Sequence, residues 1–165
     1  MKRTLTRRLA AVAACAVGVA LIVVPSAAAG RQDRPMKGLC LASFVVTGEN
    51  TLDLSGTCRL THLGLTTWTA VQTLTPGPGG VQQIVNDTTY TAANGDLLYT
   101  HFVGTGTPID PVSLTLEGTE TYLGGTGRFA DVSGHSAMTG GAAFAGFTPV
   151  PFGTGFWTTS GEIGY

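Results

Sequence analysis

His62 lies on an extended segment, where an imidazole could do chemistry inside a sheet. Alternation along a strand places its side chain on the same face as Cys58 and Leu60. If that face is the inner one, the ring could act as an acid, a base or a ligand contact. The alternative is a structural histidine bonded to a backbone carbonyl. We expect His62 to orient a small apolar ligand, with catalysis as a less favoured extension.

His101 and Tyr99 form a second pair of candidates on one extended segment. His101 shares its face with Leu97, Tyr99 and Val103, so an apolar surface surrounds two groups that could make directed polar contacts. The same choice between a ligand contact and a structural histidine applies to His101. We include both residues as candidates for ligand binding.

Glu117 is the acidic candidate. It shares a strand face with Thr115, Thr119 and Thr121. An interior carboxyl would have a raised pKa and could serve as a general acid. The alternative, which we favour, is an ion pair with Arg128 or Arg59.

Other motifs assign no catalytic residue. Residues 134–138, GHSAM, approach the nucleophile elbow G-x-S-x-G, but Met138 replaces the last glycine and strands flank the motif, whereas an elbow joins a strand to a helix. Phosphate-loop, dinucleotide, calcium-loop and zinc-protease motifs are absent from the sequence. The sequence therefore predicts neither a cofactor nor a metal site.

The first 29 residues have the pattern of an export signal. Four basic residues within positions 2–8 precede an apolar run over 9–24, and Ala27-Ala28-Ala29 follows as a cleavage site ending at Ala29. A membrane anchor is the alternative, but a run of 16 residues is shorter than the ~20 that a span needs. We expect a secreted protein that leaves the membrane after cleavage.

Removal of this segment would make the chain acidic. Four of its nine Lys and Arg residues lie within 1–29, and none of its ten Asp and Glu residues does, which leaves a net charge of −5. This balance argues against nucleic acid or an anionic membrane as a partner. The oligomeric state is left open.

Cys40 and Cys58 are the two cysteines that remain after residue 29. An even pair in an oxidising compartment predicts a disulfide, closing a loop of 19 residues. Two buried free thiols are the alternative.

Residues 112–129 show how the rest of the chain is built. Val112, Leu114 and Leu116 alternate with polar residues as in a half-buried strand, and a glycine-rich turn follows at 124–127. Asn94-Gly95 similarly predicts a two-residue hairpin turn between strands 81–92 and 97–106. Residues 56–74 form one extended run in which Gly64 suggests a bulge or a bend.

These patterns predict an all-β protein with a single domain. Extended segments separated by Gly, Pro and Asn turns are typical of a meander, and no segment after residue 29 has helical periodicity. Because the chain lacks the charges that protect open sheet edges, we expect an antiparallel up-and-down barrel of seven or eight strands, with a two-sheet sandwich as the alternative. The expected organisation is a signal peptide over 1–29, a flexible leader over 30–37 and a barrel over 38–165.

Four segments carry a resemblance to a known family. THLG at 61–64, AANGD at 92–96, LEGTETYLGGTGRF at 116–129 and the final TTSGEIGY resemble secreted bacterial proteins with an allene oxide cyclase barrel-like domain. Plant dirigent proteins contain a similar barrel domain. The resemblance covers about residues 38–165 and implies an eight-stranded antiparallel barrel with an apolar central cavity. In the plant members, that cavity takes an oxylipin or phenolic radicals without a cofactor, but no catalytic residue can be transferred to this chain.

Three functions are compatible with the sequence. The first is a secreted barrel that binds a small apolar molecule in its interior. The second is a cofactor-free cyclase or a dirigent-like coupling protein, which would need convergent polar groups in the cavity. The third is a structural or partner-binding barrel whose interior is filled.

Overall fold

The computed structural model describes residues 32–165, which form a closed antiparallel barrel of eight strands. Each strand pairs with its neighbours in the sequence, and the last strand closes the barrel against the first. The predicted export signal and its cleavage site at Ala29 lie outside the described residues. The strands are β1 (Asp33–Gly48), β2 (Thr51–Leu60), β3 (Gly64–Pro76), β4 (Gln82–Thr91), β5 (Leu97–Pro108), β6 (Ser113–Gly125), β7 (Ser133–Gly146) and β8 (Phe152–Gly164).

The first strand begins earlier than predicted. Asp33 already pairs with Gly164, and Met36 is buried in the core. Residues 33–37 are therefore part of β1, although the sequence suggested a flexible leader over 30–37. Their charged side chains misled the prediction, because Arg34 and Lys37 are both exposed although Met36 between them is buried.

One predicted extended run is a hairpin. Residues 61–63 form a tight turn between β2 and β3, in which His62 has a φ of 70° and Gly64 a φ of 77°. A bulge or a bend within one extended run was expected at Gly64, and the structure has a full reversal of the chain, made by left-handed backbone at two nearby positions. This hairpin divides the predicted run over 56–74 into two strands and brings the barrel to eight strands.

The hairpin at Asn94-Gly95 has three connecting residues instead of two. Ala92 accepts a hydrogen bond from the Gly95 amide at 2.9 Å, and its own amide donates to Asp96 at 2.9 Å. Gly95 has a φ of 88°, and Asn94 does not have a positive φ. This is the pattern of a type I turn followed by a left-handed glycine, so the predicted type I′ turn is wrong.

Alternation divides each strand between the interior and the surface. On β1 to β7 the side chains with even numbers face inward, and on β8 those with odd numbers do. The interior is mostly aromatic and aliphatic, as the buried core that includes Trp68, Phe102 and Trp157 shows. The predicted disulfide between Cys40 and Cys58 is present, joining directly paired residues of β1 and β2 whose Cα atoms are 4.0 Å apart.

The two ends of the barrel differ in how they are covered. The end at which β1 begins is closed by residues of its turns and strand ends that fold inward, with Leu63, Phe129 and Ile163 almost completely buried. Phe129 packs edge-on against Tyr165, with 5.7 Å between ring centroids. We call this the closed end. The opposite end, formed by the β1–β2, β3–β4, β5–β6 and β7–β8 connections, is the mouth.

Candidate functional site

A cavity of about 370 Å³ runs from the mouth into the barrel. Gly80, Pro108, Asp110 and Val112 line it where the β3–β4 and β5–β6 connections meet the mouth. This volume lies within the 300–1,000 Å³ typical of small-molecule sites. The interior of the barrel is therefore not filled, in contrast to what a purely structural barrel would require.

The wall of the cavity is mainly apolar. Its aromatic and aliphatic members include Phe44, Leu52, Trp68, Leu74, Ile84, Phe102, Leu114, Leu116, Met138, Phe144 and Trp157. They come from all the strands because the inward face of each strand contributes alternate residues. Such a wall excludes water and favours an apolar ligand.

Glu120 and Tyr90 form the floor. Both line the cavity, whereas Ala92 and Tyr122, each two residues further along the chain toward the closed end, do not. The Tyr90 hydroxyl donates to Glu120 Oε1 at 2.8 Å, and the Thr100 hydroxyl donates to the same oxygen at 2.8 Å. No group within residues 32–165 donates a hydrogen bond to Glu120 Oε2.

Burial changes the proton affinity of this floor. Desolvation raises the pKa of Glu120, although the hydrogen bonds from Thr100 and Tyr90 act in the opposite direction. The pKa of Tyr90 is raised well above its ordinary value, first by burial and then by the nearby charge of Glu120. The site therefore combines a carboxyl that binds a proton more readily than usual with a phenol that keeps its own.

Two tryptophans pack edge-on against each other in this part of the barrel. The Trp68 and Trp157 ring centroids are 4.9 Å apart, and the Trp68 and Tyr90 centroids are 6.4 Å apart. Both indole N–H groups are buried and lack an acceptor within the described part of the chain. The Trp68 indole nitrogen lies close to Gly56, because a Cβ atom added to this glycine would be 2.9 Å from that nitrogen.

None of the four predicted ligand contacts lines the cavity. His62 lies in the β2–β3 turn at the closed end, and its Nε2 is 3.1 Å from the carbonyl oxygen of Pro35. His62 is therefore a structural histidine bonded to a backbone carbonyl, which was the alternative interpretation of this residue. The expectation that His62 faces the cavity is wrong. The reason is the turn itself, which removes His62 from the strand alternation.

Tyr99 and His101 point outward from β5. Tyr99 is 40% exposed, and His101 Nδ1 is 2.7 Å from Asp87 Oδ1 on the neighbouring strand. The prediction used the apolar neighbours of His101, but Val103 is itself on the surface. Because β5 carries apolar residues on both faces, its pattern does not distinguish the inner face from the outer one.

Glu117 is exposed on the outer face of β6. It makes no ion pair within residues 32–165, and Arg128 instead lies 3.8 Å from Asp96. Both expectations for Glu117, the interior carboxyl and the ion pair with Arg128 or Arg59, are therefore wrong. The interior carboxylate of this strand is Glu120, which sequence reasoning missed although Leu114 and Leu116 mark its face.

Ser136 of the near-elbow motif lies within β7. It is fully buried, and its hydroxyl is hydrogen-bonded to the Tyr122 hydroxyl. Burial raises the pKa of Tyr122. A buried serine on a regular strand does not have the exposed hydroxyl of a nucleophile elbow.

The described chain contains no group of three or more His, Cys, Asp and Glu residues that could hold a metal ion. None of the helices in residues 32–165 is long and apolar enough to cross a membrane.

No family model, curated protein or solved structure matches the chain. The fold and site define a class, namely a small closed β-barrel with an apolar cavity and a buried polar floor.

Proposed function

We propose that the protein is an exported barrel that binds a small, mainly apolar molecule in its cavity. The observation that carries this proposal is the cavity itself, which is open at the mouth, lined by aromatic and aliphatic side chains and closed by two polar groups at the floor. A few directed polar groups in an apolar wall are the usual composition of a ligand site.

Export is supported by two observations. The Cys40–Cys58 disulfide is typical of an oxidising compartment, and the first 29 residues have the composition of a signal. The resemblance to allene oxide cyclase barrel-like proteins favours the same interior as the site of function. We place the protein in that family as part of the proposal.

The fluorescence of the two tryptophans of the chain can report ligand binding directly. Trp68 and Trp157 are the only tryptophans, and both line the cavity. Uptake of the neutral apolar probe N-phenyl-1-naphthylamine should raise the fluorescence of the probe and quench that of the protein. Native mass spectrometry of the protein purified from its own host would then identify a ligand that copurifies.

A matched pair of variants separates the cavity from the surface. Ala142→Phe places a ring into the cavity from β7, whereas Ala137→Phe places the same ring on the outer face of that strand. We expect Ala142→Phe to abolish or strongly weaken probe uptake and Ala137→Phe to leave it unchanged. Equal uptake by the two variants, or none by the unsubstituted protein, would contradict the proposal.

A second candidate is a cofactor-free cyclase or a coupling protein of the dirigent type. The observation that favours it is the buried pair of Glu120 and Tyr90, since a carboxyl with a raised pKa is suited to proton transfer. If the copurifying molecule is a substrate, Glu120→Gln should stop its conversion while binding is retained. Conversion at an unchanged rate would exclude this role for Glu120.

A further inference from the structure

The charged groups of the cavity have one sign. Asp110 at the mouth and Glu120 at the floor are the two lining residues with an ionisable acidic side chain, and none of the lining residues is Lys, Arg or His. A ligand with a carboxylate would find no positive partner there. It would also lie beside Glu120, whose ionised form disfavours an anion in a site of low dielectric.

On the outer surface, negative charge is also in excess near the mouth. All four basic residues of the described chain, Arg34, Lys37, Arg59 and Arg128, lie toward the closed end, where four acidic residues balance them: Asp33, Asp96, Asp131 and Glu162. The half of the barrel at the mouth carries Glu49, Asp53, Asp110 and Glu117 without a basic residue, and Asp87 lies midway along β4 beside His101. Such an arrangement attracts cations to the mouth and repels anions.

The floor has an unused acceptor for a cation. Both hydroxyl donors bind Glu120 Oε1, which leaves Oε2 without a donor from residues 32–165 although the residue is only 4% exposed. A buried carboxylate without a cationic partner is costly, and an ammonium group at hydrogen-bond distance relieves that cost.

The aromatic rings beside Glu120 suit the same group. Trp68, Tyr90 and Trp157 surround the inner part of the cavity, and the faces of such rings attract organic cations. Leu114 near the mouth and Glu120 are six residues apart on β6, about 20 Å along the strand. The apolar body of a ligand would occupy this length.

We propose that the cavity selects hydrophobic organic cations, namely amines with an apolar body whose ammonium group binds Glu120 at the floor. This inference rests on the proposed function, because it requires that the cavity binds a ligand. The two indole N–H groups are neutral donors that could bind an oxygen atom of a ligand, but they do not offset the acidic groups at both ends of the cavity.

Three unbranched ten-carbon probes with different head groups test this selection. Decylamine, 1-decanol and decanoate are each titrated, below the concentrations at which they form micelles, against the protein loaded with N-phenyl-1-naphthylamine at pH 7. At this pH the amine is a cation and the acid an anion. We expect decylamine to displace the probe at about a tenfold lower concentration than decanol, the gain from one charge-assisted hydrogen bond, and decanoate to be the weakest.

Two variants on one strand locate the origin of the preference. Glu120→Gln removes the charge at the floor while its amide oxygen still accepts from Tyr90 and Thr100, and Glu117→Gln removes one charge from the outer face of β6. Glu120→Gln should bring decylamine to the affinity of decanol, and Glu117→Gln should leave the preference intact. Circular dichroism checks that both variants are folded.

The outcomes distinguish the two proposals. If neither the fluorescent probe nor any of the three chains binds, the proposed function fails. If the probe and decanol bind but decylamine does not exceed decanol, or if decanoate binds best, cavity binding stands and the selection of cations is overturned. Equal losses in the two variants would likewise overturn it, because they would show attraction by the surface. The ranking of the head groups on the unsubstituted protein decides the question if Glu120→Gln does not fold.

Discussion

Glu120 makes the free energy of unfolding of the ligand-free barrel depend on pH. Burial raises its pKa, so the folded barrel holds the proton more tightly than the unfolded chain does. The titratable groups that face it are Tyr90 on β4 and Tyr122 on β6, and the pKa of each is raised, so both remain neutral around pH 7. The free energy of unfolding contributed by Glu120 therefore falls as pH rises from the ordinary glutamate pKa, about 4.3, through the folded-state pKa.

Glu120→Gln should consequently stabilise the empty protein at neutral pH. The amide has no charge to desolvate and keeps an acceptor for both hydroxyls, so we expect a melting temperature higher by a few degrees at pH 7. The difference should shrink as the pH is lowered and vanish near pH 4. Thermal denaturation of both proteins across this range measures it, and Glu117→Gln serves as an exposed control. A difference that does not depend on pH would refute the assignment.

Which residues face inward was predictable on some strands and not on others. On β6 the apolar side chains of Leu114 and Leu116 define the inner face, and counting on by two reaches Glu120. On β5 the inner Phe102 and the outer Val103 are both apolar, so alternation gives no answer. Selection by polar character alone therefore chose outward-facing residues such as His101.

The hairpins are the elements that define the ends of the barrel. At Gly95 the backbone is left-handed and an added Cβ would meet no atom within 4 Å, so the need for glycine is conformational and not steric. The turn type was not predictable from Asn94-Gly95, because the same dipeptide serves a type I′ turn and a type I turn that ends in a left-handed glycine. The His62 turn escaped prediction because a histidine with positive φ is uncommon.

Gly95→Val should destabilise the protein by roughly 1 kcal/mol or more, because a β-branched residue is strained at this φ. Gly95→Asn is the matched control, since asparagine tolerates the left-handed region and should lose less. Urea denaturation of the two variants gives both values. An unchanged midpoint for Gly95→Val would show that this residue is not held in the left-handed conformation.

The disulfide links β1 and β2 near the closed end. Loop-closure entropy for the 19 residues between Cys40 and Cys58 inclusive predicts a stabilisation of about 3 kcal/mol. The double variant Cys40→Ala, Cys58→Ala should therefore lower the free energy of unfolding by about that amount in non-reducing buffer. Adding a reductant should weaken the native protein and leave the double variant unaffected. Equal sensitivity of both proteins to the reductant would contradict this role.

Closure of the sheet organises the whole molecule. Pairing of β1 with both β2 and β8 removes the open edges that would otherwise attract other chains, and this agrees with the lack of protective edge charges in the sequence. Closure was predictable for that reason. The position of the cavity was not, because it depends on Leu63 and Phe129 folding inward at one end while the connections at the other end stay open.

The separation of charge along the barrel leads to a prediction about association rates. The mouth half is acidic and the closed end is balanced, so a cationic ligand should be guided toward the mouth. Glu49→Lys with Glu117→Lys reverses two exposed charges toward the mouth, and Asp131→Lys with Glu162→Lys makes the same change in net charge at the closed end. Stopped-flow quenching of Trp68 and Trp157 by decylamine should give an association rate several-fold lower for the first pair and nearly unchanged for the second.

Ionic strength provides the internal control for this experiment. Salt should reduce the association rate of decylamine with the unsubstituted protein and leave that of decanol unaffected, because only the cation responds to the field of the mouth. In the mouth variant, the salt dependence for decylamine should be lost or inverted. If both double variants slow decylamine equally, net charge and not its distribution along the barrel controls association, and the mouth has no steering role.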